Sequence, residues 1–505
     1  MSDSSFSEHI KNGYVCSGDY IILGGCKLNG EAVPDTLIKI PLKTINRHGL
    51  IAGATGTGKT KTIQVLSEQL SQNGIPVLMM DIKGDFSGIA AKGEEKPFIT
   101  ERHAKIGIPY EAKAFPVELM TLSEQNGVRL RATVSEFGPV LFSRILDLND
   151  TQSGVVAVIF KYCDDHKIPL LDLKDFKKVL HYATAEGKNE FEAEYGRIST
   201  ASTGSILRKI IELEQQGANL FFGELSFDID DLMRIDENGY GYVNIIRLTD
   251  IQDKPKLFST FMLSLLAEVY QKMPEIGDSG RPELVIFIDE AHLIFDEASK
   301  TLLDQIETII KLIRSKGIGI YFITQNPTDI PAGVLAQLGL KIQHALRAFT
   351  AKDRKAIKMT AENYPLSDFY KTEDMITQLG IGEAFVTALN EKGIPTPLAA
   401  CMMRSPMSRM DILTDAEINA INSHSKLVKK YNQAIDNESA YEILSQKIEK
   451  ASQQAQQQKE TKTVTKRKKT EPSTVEVIGK SVTKVVTSAS FIRGVFGILT
   501  KIFQK

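Results

Sequence analysis

The stretch GATGTGKTKT, residues 53–62, combines glycines, a lysine and hydroxyls at a spacing suited to a phosphate chain. It matches the pattern Gly53-x-x-x-x-Gly58-Lys59-Thr60. Glycines lack a Cβ, so backbone N–H groups can wrap an anion, and the next helix offers its positive N-terminus. Lys59 is expected to reach the outer phosphate oxygens, and the Thr60 hydroxyl is expected to ligate Mg²⁺. The stretch therefore predicts a nucleoside triphosphate site.

The residues on either side supply the strand and helix that this loop requires. HGLIA, residues 48–52, is typical of a buried strand, and residues 59–73 are typical of a helix. PVLMMD, residues 76–81, predicts a second buried strand, so the order is that of a parallel β-α-β unit. Without these neighbours the loop could be a mere tight turn. The predicted nucleotide-binding residues are Gly53, Ala54, Thr55, Gly56, Thr57, Gly58, Lys59, Thr60 and Lys61.

Two adjacent acids close another apolar run, LVIFIDE, residues 284–290. In a parallel sheet the carboxyl ends of the strands meet at one edge, which places Asp289 and Glu290 beside the phosphate loop. Asp289 is predicted to hold the Mg²⁺ shell, and Glu290 to polarise the attacking water as a general base. The alternative is a strand that stops at a polar turn. An acid pair paired with the phosphate loop favours hydrolysis over transfer to a substrate hydroxyl.

Two further strand ends carry polar groups. Thr324 and Gln325 end IGIYFITQ, where Gln325 is predicted to sense the γ-phosphate or to position water; a strand-end cap is the alternative. In DIKGDFSG, residues 81–88, Lys83 and Asp85 are expected at the nucleotide edge. They could equally form a salt-bridged turn without a catalytic role.

One arginine is predicted to act on the nucleotide of a neighbouring subunit. Arg314 ends a predicted helix in LIRSKGIGI, and Arg347 and Arg354 are rivals for the same role. A helix-terminal arginine that only complements the helix dipole is the alternative. His292 lies beside the acid pair but has no second histidine at i+3 or i+4, which favours a structural role over metal binding.

Composition indicates a soluble intracellular protein. The 505 residues carry a formal net charge of −2, so there is no overall positive charge that would indicate nucleic-acid binding. A local basic channel is compatible with this net charge. The four cysteines have no C-x-x-C spacing, which disfavours a zinc site and favours a reducing compartment. We find no signal peptide and no run of about 18 to 20 apolar residues. The prediction is a cytoplasmic protein.

The pattern along the chain divides it into seven segments. The third segment, residues 112–215, has helical periodicity and interrupts the α/β core, so the core is discontinuous in the sequence. The Gln/Lys-rich tract near the end cannot bury a core and predicts a surface helix or a linker. The segments are a short β-rich N-terminal segment (1–45), the first half of the core (46–111), a helical insertion (112–215), the second half of the core (216–410), a helical segment (411–450), a polar linker (451–480) and an amphipathic helix (481–505).

The C-terminal segment SASFIRGVFGILTKIFQK places its large apolar residues on one helical stripe. Such a helix could dock onto the body of the protein, onto another subunit or onto a partner protein. A peripheral membrane-surface helix is the second interpretation. The basic run KRKK at 466–469 leaves a nucleic-acid contact as the third.

Four motifs in order, HGLIAGATGTGKTKT, MMDIKGDFSG, LVIFIDEAHLIF and GIYFITQNPTDIP, resemble the HerA-like branch of the FtsK–HerA superfamily of P-loop ATPases. The sequence is most similar to the bacterial YjgR-type group, over about residues 13–400. The resemblance implies a RecA-like (ASCE) α/β core with a mainly parallel sheet that hydrolyses ATP. Superfamily members often form hexameric rings that move double-stranded DNA. By motif, Lys59 and Thr60 would be Walker A, Asp289 and Glu290 Walker B, Gln325 the sensor and Arg314 the trans-acting arginine.

The sequence departs from this family in ways that bear on its partners. In HerA translocases a fuller N-terminal β-barrel seats a nuclease, whereas 52 residues precede the loop here, so no nuclease partner is evident. No membrane helices or DNA-reading winged helix of the FtsK type are visible. The leading hypothesis is a Mg²⁺-dependent ATPase that forms homo-oligomers such as hexamers and acts on double-stranded DNA. The alternative is a non-translocating ATPase switch that docks to a membrane or protein through its C-terminal helix.

Overall fold

The computed structural model describes residues 3–277, 280–295, 300–433, 435 and 437–464. The described residues separate into two compact units. The sheet unit contains the residues up to 133, residues 144–147 and residues 208–435. The helical unit contains residues 134–143, 148–207 and the described residues from 437 onwards.

The strands of the described residues form one twelve-stranded sheet. In chain order they are β1 (Tyr20–Leu28), β2 (Glu31–Pro41), β3 (Gly49–Ala52), β4 (Val77–Asp81), β5 (Val117–Thr121), β6 (Val128–Arg129), β7 (Val243–Arg247), β8 (Leu284–Ile288), β9 (Ile318–Thr324), β10 (Leu340–His344), β11 (Glu383–Thr387) and β12 (Ala399–Met403). In space the order is β2-β1-β12-β11-β10-β3-β9-β8-β4-β7-β5-β6.

The part of the sheet from β10 to β6 is parallel, and the four strands at the other side pair antiparallel. The residues of β3, β4 and β8 are all buried, and all of them are apolar except Asp81, the last residue of β4. Such runs are typical of parallel strands covered by helices on both faces. The predicted α/β class with a mainly parallel sheet is confirmed.

The described residues form seventeen α-helices. In chain order they are α1 (Asp3–Gly13), α2 (Lys59–Gln72), α3 (Pro97–Ile106), α4 (Val134–Ile145), α5 (Asp150–His166), α6 (Leu173–Thr184), α7 (Lys188–Glu194), α8 (Thr200–Gln215), α9 (Pro255–Lys272), α10 (His292–Phe295), α11 (Lys300–Ile313), α12 (Ala332–Leu335), α13 (Ala351–Glu362), α14 (Thr372–Met375), α15 (Asp415–His424), α16 (Lys426–Tyr431) and α17 (Ala440–Val464). None of these described helices combines the length and the apolar content that a membrane crossing requires.

The helical unit is held by aromatic packing and by capped helix ends. The rings of Phe142, Phe160 and Phe176 lie with centroids 4.8 to 6.0 Å apart. Reciprocal capping boxes begin α5 at Asn149 and α6 at Asp172, which satisfies N–H groups that a helix start leaves open.

Two boundaries of the helical segments differ from those predicted from the sequence: the start of the helical insertion and the end of the helical segment predicted at 411–450. The helices of the predicted insertion begin at Val134 and not at residue 112. Residues 117–121 instead form β5, a buried strand beside β7. Helix α17 continues to Val464, past the boundary predicted at 450. The rest of the predicted linker and the predicted helix at 481–505 lie outside the described residues.

A segment after β12 crosses helix α2 and binds it through buried polar groups. The Glu68 carboxylate accepts hydrogen bonds from the backbone N–H groups of Met407 (2.8 Å) and Ser408 (2.9 Å). The Gln64 amide donates to Ser408 Oγ at 2.6 Å and to the Arg409 carbonyl at 2.9 Å. These bonds hold the helix that begins at the phosphate loop.

Glu68 predicts a dependence of stability on pH. Burial raises the pKa of its carboxyl from 4.5 to about 7, against the opposing effect of its hydrogen bonds. The folded protein therefore binds this proton more tightly than the unfolded chain, so the contribution of Glu68 to stability falls as the pH rises from about 4.5 to about 7. The Gln side chain in Glu68→Gln has no ionisable proton, so this variant lacks the pH-dependent contribution. The unfolding free energy of the wild type relative to Glu68→Gln should therefore fall between pH 5 and pH 8, roughly the window that this shift sets.

Urea unfolding at the two pH values measures this difference. Glu101→Gln on α3 is the matched control, because Glu101 is exposed. A wild-type advantage over Glu68→Gln that stays constant or grows with pH would show that Glu68 is not protonated more readily in the fold.

Candidate nucleotide site

The carboxyl edge of the parallel sheet collects the residues that the sequence singled out. Gly53 directly follows β3, Asp289 and Glu290 follow β8, and Asp81 ends β4. In space β3, β9, β8 and β4 are consecutive, so β9 alone separates the loop strand from the acid strand. The structure therefore brings the phosphate loop and the acid pair to one edge.

Two glycines of the loop combine a positive φ with a close neighbour that leaves no room for a Cβ. Gly53 and Gly58 have φ values of 153° and 115°. A Cβ on Gly53 would lie 2.5 Å from the Cβ of His344, and a Cβ on Gly58 would lie 3.1 Å from the backbone nitrogen of Gly382. Backbone and a buried ring therefore press against the loop from behind, which favours the conformation in which its N–H groups can surround an anion.

The Lys59 ammonium is buried inside the loop. It donates hydrogen bonds to the carbonyls of Gly53 (2.6 Å) and Ala54 (3.2 Å). Burial lowers its pKa, and the nearby charge of Lys83 lowers it further, whereas Glu290, Asp289 and Asp85 oppose the shift. A triphosphate fits this cradle, since its oxygens would give the buried ammonium an acceptor of opposite charge.

The Thr60 hydroxyl lies in the first turn of α2 and donates to Asp85 Oδ2 at 3.3 Å. Asp85 belongs to a turn organised by Asp81, whose carboxylate accepts the N–H groups of Gly84 (2.7 Å), Asp85 (3.1 Å) and Phe86 (3.3 Å). Burial, and next the charge of Asp85, raises the pKa of Asp81 to about 6. Asp81 therefore shapes the turn that supplies Asp85 to the phosphate loop.

The acid pair is almost completely buried. Asp289 is 5% exposed and Glu290 6%. Burial raises the pKa of Asp289 to about 7, the charge of Glu290 adds to this, and Lys83 opposes it. Glu290 forms an ion pair with Lys83, and its Oε2 lies 3.3 Å from His292 Nδ1. The acids are thus held in a polar network at the sheet edge.

The donors present suit Mg²⁺ only together with a nucleotide. Among the described residues no group of three His, Cys, Asp or Glu side chains could hold a metal ion. The Thr60 hydroxyl and the Asp289 carboxylate are hard oxygen donors, and Mg²⁺ is commonly held by one or two such groups plus phosphate oxygens. His292 Nδ1 lies 3.3 Å from Glu290 Oε2, and the structural role expected for His292 stays a prediction.

The end of β9 divides into a cap and an exposed side chain. Thr324 Oγ1 donates to Asp329 Oδ2 at 2.6 Å, so Thr324 serves as a strand-end cap. Gln325 is exposed at the carboxyl edge, between the loop strand and the acid strand. Its role as a sensor stays a prediction.

Arg314 does not lie with the other predicted residues. It begins the turn that precedes β9, at the amino edge of the sheet, where its carbonyl accepts a hydrogen bond from Asn46 Nδ2 at 3.5 Å. The rival Arg347 follows β10 and donates to the carbonyl of Thr377 at 3.0 Å, and Arg354 is exposed on α13. An action of Arg314 on a phosphate loop thus requires a second subunit.

Sequence patterns did not reveal the residues that support the loop from behind. His344 lies between Thr62 Oγ1 and the Glu383 carbonyl, each at 2.9 Å, and burial lowers its pKa to about 4, so it is neutral. The Gly382 N–H donates to the Thr57 carbonyl at 2.9 Å.

An arginine on another helix holds the segment that contains Gly382. Arg102 donates to the carbonyls of Gly382 (3.0 Å), Ile381 (3.0 Å) and Met403 (3.2 Å). Arg102 and Gly382 are 280 residues apart in the sequence, and no local pattern joins them.

Comparison with known proteins gives relatives over most of the chain. The chain is 20% identical over 378 residues to "DNA double-strand break repair helicase HerA" of Sulfolobus acidocaldarius, which covers 74% of this chain and 68% of that protein. It is 24% identical over 352 residues to the protein of the same description from Saccharolobus solfataricus, covering 69% of this chain and 63% of that protein. The matched region thus spans about two thirds of the length of these relatives.

The solved structure of the bacterial conjugative coupling protein TrwBdeltaN70, in an unbound monoclinic form, superposes with a TM-score of 0.51 at 13% identity. The match covers 81% of this chain and 95% of that one, and supports the predicted RecA-like core. Residues 27–499 match the family model described as "Helicase HerA-like C-terminal". The chain therefore belongs to the Helicase HerA-like C-terminal family, which confirms its predicted place among the HerA-like P-loop ATPases as an ATP-hydrolysing enzyme.

Proposed function

We propose that this protein is a Mg²⁺-dependent ATPase that assembles into a ring and uses hydrolysis to move along double-stranded DNA. The observation that carries the proposal is the meeting of the phosphate loop with a buried acid pair at one sheet edge. The relatives described as DNA repair helicases support DNA as the load.

Each residue of the site has a distinct task in this proposal. The N–H groups of the loop and the Lys59 ammonium bind the β- and γ-phosphate oxygens. Thr60 and Asp289 would hold Mg²⁺, which when bound neutralises charge on the phosphate oxygens. Glu290 accepts a proton from water as the water oxygen bonds to the γ-phosphorus and the bond to the bridging oxygen breaks. The products are ADP and inorganic phosphate.

The position of Arg314 supports a ring. It lies at the amino edge of the sheet, whereas the phosphate loop lies at the carboxyl edge, so one chain does not bring the two together. Where the amino edge of one subunit faces the carboxyl edge of the next, Arg314 would stabilise negative charge on the neighbour's γ-phosphate. Each site would then be complete only between two subunits.

Two substitutions should separate binding from turnover. Lys59→Ala should weaken MgATP binding, because it removes the buried ammonium that contacts the phosphates. Glu290→Gln should keep binding but reduce turnover by roughly 10² to 10⁴, since an amide accepts no proton. Fluorescent-nucleotide titration and phosphate release measure the two effects. A Glu290→Gln variant that hydrolyses ATP at the wild-type rate would remove Glu290 from the mechanism.

DNA should stimulate the enzyme if DNA is the load. Linear double-stranded DNA is expected to increase turnover several-fold in the wild type and in neither variant above. The control is an equal concentration of heparin, a polyanion that is not DNA. It shows whether negative charge alone increases turnover. Hydrolysis that DNA leaves unchanged would contradict the motor and point to docking on a protein or membrane.

Mixed rings should show whether Arg314 acts in trans. Arg314→Ala alone should lose roughly 10³-fold in turnover or more while it still binds nucleotide. Mixed with Lys59→Ala subunits, it should regain turnover, because an intact phosphate loop from one variant meets an intact Arg314 from the other. Arg354→Ala is the matched control, since Arg354 is an exposed arginine of the same chain. Absence of any recovery in mixtures would refute the trans role.

A further inference from the structure

The turn after β4 carries a lysine that the mechanism above does not use. Strand β4 pairs in parallel with β8, and Met80 lies opposite Ile288. Lys83 therefore follows the strand end next to the one that carries the acid pair. Its ammonium forms an ion pair with Glu290 Oε1.

The Glu290 carboxylate is restrained from several directions. The φ of Glu290 is 45°, a backbone conformation that residues other than glycine rarely adopt. Its side chain is 7% exposed, with Lys83 at Oε1 and His292 Nδ1 3.3 Å from Oε2. The ion pair with Lys83 therefore restricts the orientation of this nearly buried carboxylate.

The turn that presents Lys83 is itself fixed. The buried Asp81 carboxylate accepts three backbone N–H groups of residues 84–86. Gly84 has φ at 80°, and a Cβ there would lie 2.9 Å from the Thr249 methyl group, so the turn is closely packed. The Lys83 backbone is thus held by the same network that supplies Asp85 to Thr60.

Glu290 needs such a partner because Asp289 is adjacent and equally buried. Two neighbouring carboxylates repel each other in a poorly hydrated place, which would turn the Glu290 side chain away. A cation at Oε1 offsets the repulsion and holds the carboxylate in place.

We propose that Lys83 is a positioning residue that orients the Glu290 carboxylate for its reaction with water. This inference rests on the function proposed above. A lysine that instead contacted the γ-phosphate would act on nucleotide affinity and would act independently of Glu290. The two roles are therefore distinguishable by a double-mutant cycle.

The experiment compares Lys83→Met, Glu290→Gln and the double variant in the full-length protein. Single-turnover ATP hydrolysis and binding of a fluorescent ATP analogue are measured for each. Lys83→Met should reduce the rate by about tenfold or more with unchanged nucleotide affinity, since misplaced catalytic groups lose rate and not binding. In the Glu290→Gln background the same substitution should cause no further loss.

Two further variants control for charge and for folding. Lys83→Arg should keep the rate within about threefold of the wild type, because it retains the cation. Lys105→Met, an exposed lysine on α3, should leave both measurements unchanged. If Lys83→Met fails to bind nucleotide because it does not fold, Lys83→Gln replaces it in the cycle.

Each outcome decides a different point. A wild-type protein without ATP hydrolysis overturns the proposed function and this inference with it. An active wild type with an unchanged or faster Lys83→Met overturns the inference alone. A weakened nucleotide affinity, or rate losses that multiply in the double variant, assigns Lys83 to the phosphate and also overturns it.

Discussion

The alignment of parallel strand ends is the constraint on which the site depends. Residues far apart in the chain share the site because β3, β9, β8 and β4 all end at one edge. The strands are continuous apolar runs, so the first polar residue after each run lies at that edge. Hydrophobic burial thus places the phosphate loop, the acid pair and the turn of Asp81 together, and no long-range polar attraction is needed to recruit them.

The edge also concentrates charge in a poorly hydrated place. Lys59 and Lys83 interact there with Asp85, Asp289 and Glu290, and burial raises the pKa of Asp81 and Asp289. A buried charge is costly unless it is paired, so each group restricts its neighbours. The Asp81 carboxylate accepts hydrogen bonds from backbone N–H groups. The lysines interact instead with the other acids and, for Lys59, with the loop carbonyls. The arrangement suits a polyanion with a divalent cation, because the cation offsets part of the negative charge of the polyanion.

The sequence predicts the parts of this site that local patterns encode. A glycine-rich loop between strand and helix, and the acids Asp289 and Glu290 after an apolar run, are readable without a structure. His344 and Arg102 are not, because they support the loop through contacts between distant segments. The strand at 117–121 was missed for a similar reason: VELMT is short, and its pairing with β7 and β6 makes it a strand. Tertiary contacts determine such elements, and local propensity does not.

Strand β9 gives the proposed ring a physical link between its sites. It begins just after the turn of Arg314 at the amino edge and ends at Thr324, next to Gln325, at the carboxyl edge. All seven of its residues are buried, and it pairs with β3 on one side and β8 on the other. A strand of this kind rises about 3.3 Å per residue, and its backbone is held by hydrogen bonds to the neighbouring strands on both sides. A displacement at the end of β9 near one nucleotide would be carried to Arg314, which in the proposed ring would face the nucleotide of the next subunit. Sites joined in this way would hydrolyse ATP in a coordinated order and not independently.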